Sequence, residues 1–258
     1  MESSKPRETP ERMKKMNKEY LKNLYTMLQT LENTQEEAID QVAEACAKCI
    51  EKGGLLYFFG TGHSHMICEE PFYRAGGLAC VYPILETDLM LHEGAAKSSG
   101  YERLPGLGNL VVGNTPLKEG DVLFIISNSG RNCVPIDAAL EAKKRGAITV
   151  AITSMKHTTK SSSRHASGLN LYQVCDYVLD NGAEEGDASV LLPGMDQKIA
   201  PTSSVTDITL VHLILVNTVE LLLKKGITPP LFLSANTDAG DKANKAVLKE
   251  YKARVPSL

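Results

Sequence analysis

Four clusters of glycine and hydroxyl residues carry the most readable chemistry in this chain. They are Gly60-Thr61-Gly62-His63-Ser64, Ser127-Asn128-Ser129-Gly130-Arg131-Asn132, Thr153-Ser154 and Thr202-Ser203-Ser204. Each follows an apolar run or opens a helical one. Glycine lets the backbone approach a ligand, hydroxyls donate hydrogen bonds, and a helix N-terminus attracts an anion. One such cluster alone is explained as a helix cap. Several at equivalent places exceed what capping needs, and they point to a monophosphate held by hydroxyls and amides. The first cluster has no lysine, so it is not a nucleotide loop of the G-x-x-x-x-G-K-S/T type, and G-x-G-x-x-G does not fit it either.

Proton transfer next to a carbonyl needs a base and a group that polarises the oxygen. His63 lies within the first cluster, and His65, Glu69 and Glu70 follow it. His65 and Glu69 are four apart and share one helix face, which is also a spacing that zinc uses. No third ligand accompanies them, so a polar role without metal is expected, and no cofactor. Glu69 and Glu70 are adjacent, so only one of them faces a ligand.

The elements that must position these groups follow from hydrophobic pattern. Residues 1–15 read as a disordered polar tail, and residues 16–258 as one domain. Tyr20, Leu21, Leu24, Tyr25, Leu28 and Leu31 recur at helical spacing. Thr34 with Glu37 resembles a capping box opening a second helix, which Gly53-Gly54 ends. Short apolar runs at 55–59, 79–82, 122–126, 148–152 and 174–179 alternate with helical segments, among them 135–145. Runs without alternation suit strands buried on both faces, and strand–helix alternation predicts a parallel sheet covered on both sides, an α/β three-layer doubly wound sandwich. A long helix at 206–225 and a final helix through Tyr251 close the chain. In such sheets ligands bind at the carboxyl ends of the strands, where the first three clusters fall.

Composition excludes other classes. The net charge of −3 gives no general attraction to nucleic acid or anionic membrane, and aromatics are scarce, with no Trp for base stacking. The N-terminus lacks a signal-peptide pattern, and His212, Asn217 and Glu220 interrupt the most apolar run, so a buried helix is expected there and not a membrane span. The six cysteines read as reduced thiols of a cytoplasmic protein. Cys46 and Cys49 sit in an Ala-rich helix as core residues.

The loops Gly60–Ser64 and Ser127–Gly130 resemble those after the first and third strands of the sugar isomerase (SIS) family. Asn132-Cys133-Val134-Pro135 and the segment from Ala138 to Gly146 resemble its "A…A…KxxG" helix. Residues 201–226 resemble the P-T-S/T-S-x-T helix of arabinose 5-phosphate isomerases. Residues 57–77 match an SIS subfamily pattern, YxFGTGHSHMxxEExFYRAGG. The resemblance implies a five-stranded flavodoxin-like parallel sheet with extra N-terminal helices. It also implies phosphosugar binding and sites completed in a homodimer or homotetramer. An aldose–ketose isomerase is the expected activity. An amino-sugar 6-phosphate etherase or lyase and a non-catalytic phosphosugar sensor are the alternatives.

The resemblance also ranks residues. Glu70 is favoured over Glu69 by similarity to the Glu-Glu pair of sedoheptulose 7-phosphate isomerases. Leu91-His92-Glu93-Gly94 is similar to the "SHGD" of arabinose 5-phosphate isomerases, which brings in His92 and Glu93, with Glu102 and Arg103 as a flanking wall. Arg131 resembles the "SGRTP" arginine of N-acetylmuramic acid 6-phosphate etherases. Ala235 stands where arabinose 5-phosphate isomerases keep a histidine in "SHPGG", leaving Asn236 and Asp238 as substitutes. His212 matches a catalytic position of some relatives, but its apolar neighbours predict a core histidine.

Overall fold

The computed structural model describes residues 10–234 and 236–258. Two helices, α1 (Pro10–Thr34) and α2 (Glu36–Glu51), precede strand β1 (Leu56–Gly60). A 3₁₀ turn, Gly62–His65, runs into the single turn α3 (Met66–Glu69) and on to β2 (Val81–Ile84). α4 (Ala95–Tyr101) and α5 (Leu107–Gly113) lead to β3 (Val122–Ile126), then α6 (Cys133–Lys144) and β4 (Ile148–Thr153). The short α7 (Met155–Thr158) and α8 (Leu171–Val174) precede β5 (Tyr177–Asp180). A hairpin of β6 (Ala188–Val190) and β7 (Ile199–Pro201) comes before α9 (Ser203–Lys224) and α10 (Asp238–Tyr251).

The five long-range strands form one parallel sheet in the order β2-β1-β3-β4-β5. This is the flavodoxin-like order, whose switch point lies between β1 and β3. Every residue of β1 and β3 is buried, as their unbroken apolar runs require. Phe58 and Phe124 stack across the two strands at 4.5 Å. α2, backed by α9, covers one face of the sheet, and α6 with α5 covers the other. The small residues Ala43 and Ala47 let α9 approach α2, and Asn217 Nδ2 donates to Asp40 Oδ1 at 2.8 Å across them. α9 has the length and composition to cross a membrane; in this fold it packs along α2.

Local structure departs from the sequence reading at several places. α1 begins at Pro10, inside the stretch read as a tail; residues 1–9 lie outside those described. The capping box at Thr34 and Glu37 does not form. α1 runs on to Thr34, whose hydroxyl donates back to Thr30 O at 2.8 Å, and Glu37 accepts from Gln41. A capping box stands instead at Asn170 and Gln173, opening α8. That turn ends at Val174, read as the first residue of the fifth strand, and β5 begins at Tyr177.

Candidate active site

The parallel register brings the strand ends level. Gly60 lies opposite Ile126, Ile126 opposite Ile152, and Thr153 opposite Asp180. The loops leaving β1, β3, β4 and β5 therefore share the carboxyl edge of the sheet. Glycine is required at two of the turns. A Cβ on Gly60 would lie 2.5 Å from Ser64 O, and Gly130 has φ +58 with the Thr158 hydroxyl 2.9 Å from where its Cβ would stand. In the loop after β3, Gly130 N donates to Ser127 Oγ at 3.2 Å, and Leu171 N donates to Gly130 O at 2.8 Å. Asn132 precedes α6 without capping it; its side-chain oxygen accepts from Arg164 Nη1 at 2.8 Å. Half-buried Arg131 pairs with no carboxylate among the described residues; its Nε donates to Ser162 O at 3.0 Å. Arg164 was not singled out by sequence. Burial, with Arg131 and Arg103 nearby, lowers its pKa.

The acid–base candidates separate into three groups. Glu70 Oε1 accepts from Arg74 and meets His212 Nε2 at 3.1 Å. Among the described residues Glu70 Oε2 takes no side-chain hydrogen bond. The expectation of a core histidine at 212 is corrected here: its side chain is 45% exposed and that of Glu70 27%. α9 turns Leu210, Val211 and Ile214 inward and His212 outward toward the α3 end. In the second group, His65 is buried, bonds Gly62 O through Nδ1, and presents Nε2 to Glu69 Oε1 at 3.6 Å. Its ring meets that of His92 edge-to-face at 5.2 Å. Third, Glu93 pairs with Lys97 at 3.2 Å, and Lys97 also pairs with Asp88 at 2.5 Å. His63 is exposed. A cavity of about 340 Å³ adjoins the first group, lined by Pro71, Arg74, Gly77, His212, Val216 and Leu231 among others.

The two remaining hydroxyl clusters are largely consumed by the fold. Thr153 Oγ1 donates to Asn128 O, and Ser154 Oγ donates to Ala183 O and caps α7. At the start of α9, Asp187 Oδ1 accepts from the backbone amides of Thr202 (3.0 Å) and Ser203 (2.8 Å), and Oδ2 accepts from Ser203 Oγ (2.5 Å). The chain's own carboxylate thus fills the anion position that the sequence reading gave to phosphate. Asp187 holds φ +65 to do so. Only Ser204 of that trio has a hydroxyl without a bonded partner among the described residues. Two further polar groups lie behind the β3 loop and were missed in sequence, Asn181 and Asp207. Both are buried, and Asn181 donates to Asp207 Oδ1 at 2.8 Å.

Asn236 and Asp238 fall at the start of α10, and Ala235 lies outside the described residues. The cysteines are unpaired, and all but Cys175 are buried. Burial pushes the Cys49 thiol up to about 12 and Cys46 well above its ordinary value, which makes them inert core residues. Among the described residues no three His, Cys, Asp or Glu side chains assemble as a metal-binding set.

Comparison with known proteins agrees with this geometry. The SIS domain family model matches residues 19–154. A UPF0309 protein of Geobacillus thermodenitrificans is 40% identical over 240 residues, covering 93% of this chain and 96% of the relative. A UPF0309 protein of Halalkalibacterium halodurans is 43% identical over 233 residues, covering 90% and 96%. Among solved structures, the phosphoheptose isomerase of Neisseria gonorrhoeae superposes with a TM-score of 0.51 at 15% identity, covering 80% of this chain and 96% of that one. That likeness is one of fold. With the matching sheet order, strand-end loops and full-length relatives, the chain belongs to the SIS domain family and groups with its UPF0309 proteins.

Proposed function

We propose that this protein binds a phosphorylated sugar and isomerises it between aldose and ketose forms. The observation that carries the catalytic half is the Glu70–His212 contact of 3.1 Å between α9 and the segment after α3. A carboxylate beside an imidazole, both reachable from solvent, is the pair that an enediol mechanism uses. Glu70 takes the proton from the carbon next to the carbonyl through Oε2. His212 delivers a proton to the carbonyl oxygen, which gives the enediol; Glu70 then gives its proton to the other carbon while His212 takes one back from the neighbouring hydroxyl, which becomes the new carbonyl. Net, one hydrogen moves from carbon to carbon, one proton moves from oxygen to oxygen, and nothing is released. Arg74 steadies Glu70 from the other side. Thr61, Ser64, Asn128, Ser129 and the loop amides take the phosphate at the β1/β3 switch point, and His65, Glu69 and His92 form an adjoining polar wall. One solved structure of this fold is a phosphoheptose isomerase, which supports a sugar phosphate as the substrate class.

A homo-oligomer completes this reading. The helix that carries His212 also presents Val216 (64% exposed) and Leu223 (59%) to solvent, and a second copy of the chain is the proposed cover. The six free thiols suit a cytoplasmic location.

A thermal-shift panel of sugar and amino-sugar phosphates tests binding, because a ligand of the folded state raises its melting temperature. Incubation of each hit in deuterated water tests catalysis, with deuterium expected at the carbon next to the carbonyl. Binding without exchange would make the protein a sensor. Exchange with loss of a substituent would make it a lyase or etherase.

A further inference from the structure

The buried polar groups behind the β3 loop take part in no step of that scheme. Asp207 in α9 is 3% exposed, and Asn181, directly after β5, is fully buried. The Asn181 amide nitrogen donates to Asp207 Oδ1 at 2.8 Å and to Asn128 Oδ1 at 3.0 Å, while its oxygen accepts from Ala183 N at 3.0 Å. Both hydrogens and the carbonyl of Asn181 are therefore used, and its orientation is determined. Asn128 is pinned in turn. Its backbone oxygen accepts from Ser154 N at 3.1 Å and Thr153 Oγ1 at 3.2 Å, and its side-chain oxygen is taken by Asn181. The Asn128 NH₂ group takes no hydrogen bond among the described residues, and it is a donor with no acceptor capacity. Burying a carboxyl and an amide costs free energy unless they are satisfied, and apolar residues would fill the same space more cheaply.

We infer that Asp207 and Asn181 are positioning residues: they hold the Asn128 amide with its NH₂ toward the ligand, so that the β3 loop favours an acceptor-only group, a fully ionised phosphate. The inference rests on the phosphosugar reading and names the device that selects the ionised form. Charge at Asp207 modulates that device. Burial raises its carboxyl to about 7, the Asn181 hydrogen bond opposes the shift, and Asp187 adds to it. Asp187 is the charged group that faces it, and its own carboxylate is held by Thr202 and Ser203. As pH rises through neutrality, a negative charge appears behind the donor that must meet a dianion.

Asp207→Asn keeps an acceptor for Asn181 and removes the titration. Dissociation constants for inorganic phosphate and arabinose 5-phosphate are measured by calorimetry at about pH 6 and about pH 8, for wild type and variant. Dividing one by the other cancels the ligand's own titration. The wild type should lose about fivefold in affinity relative to the variant between the two pH values, as expected for a like charge in a partly screened site. A ratio that does not change with pH overturns the inference. Asn181→Ala frees the Asn128 amide to rotate, and a folded variant should bind about tenfold more weakly at both pH values; unchanged affinity overturns the inference as well. A wild-type chain that binds neither probe sinks the phosphosugar reading, and this inference with it.

Discussion

The loop after β3 and the first turn of α9 look alike in sequence: both are runs of Ser, Thr or Asn just before a helix. In the folded chain they are opposites. At α9, Asp187 reaches in from the loop before β6 and takes two amides and the Ser203 hydroxyl, so the donors are already satisfied. In the β3 loop, Asn181 and the β4 end bond the oxygens of Asn128, and its NH₂ group is left over among the described residues. A hydroxyl run marks a possible anion site; whether the chain supplies its own anion decides whether a ligand can use it.

Breaking the catalytic side should have the largest effect. Glu70→Gln is expected to lower deuterium exchange by roughly 10²–10⁴-fold while leaving the melting-temperature shift with phosphosugar intact. Loss of both would place Glu70 in binding and not in proton transfer. His212→Gln is expected to follow it.

The next effect separates the two hydroxyl regions. Asp187→Gly keeps the left-handed backbone but strips the carboxylate, leaving the Thr202 and Ser203 donors without a partner. A stability loss of ~1–3 kcal/mol by urea denaturation is expected, with phosphate affinity unchanged or improved. Weakened phosphate binding at equal stability would reverse the assignment of the two regions.

A smaller signal comes from Asp207. Its folded-state pKa of about 7 exceeds the ordinary value of 3.8, so between these values the folded state holds a proton that the unfolded chain has released. Stability contributed by this group therefore falls as pH rises from ~4 to ~7 and is flat above. Asp207→Asn should flatten that slope and gain most over wild type at about pH 8; an equal difference at acid and neutral pH would contradict it. The smallest expected change is Ser129→Ala, worth about 1 kcal/mol in phosphosugar binding with no change in melting temperature of the free protein.

The sheet was legible because its strands are short, wholly apolar runs punctuated by glycine and helical spacing. The apolar run 122–126 coincides with β3 for that reason. Boundaries failed where a local hydrogen bond could be made in two ways. Thr34 bonds back into its own helix, and Asn170 with Gln173 forms a turn where a strand start was read. In the candidate site, motif and spacing point to Glu70 and the two glycine loops. His212 was named but placed in the core, because apolar neighbours on a helix do not reveal which residue lies at the edge of the buried stripe. Asn181, Arg164 and Asp187 had no sequence signal at all, since each acts on groups that are 15 to 53 positions away.

Sequence by itself determined the strand–helix alternation, the glycines at the turns and the clustering of hydroxyls, all of which depend on near neighbours along the chain. Only the tertiary structure decided which hydroxyl cluster stays open and which carboxylate meets a histidine. Those outcomes depend on pairs such as Asp187–Ser203, closed by the β6–β7 hairpin, and Glu70–His212, brought together where α9 packs beside α3. A hydrogen bond is satisfied by whatever partner the fold delivers, and no local pattern encodes that partner's arrival.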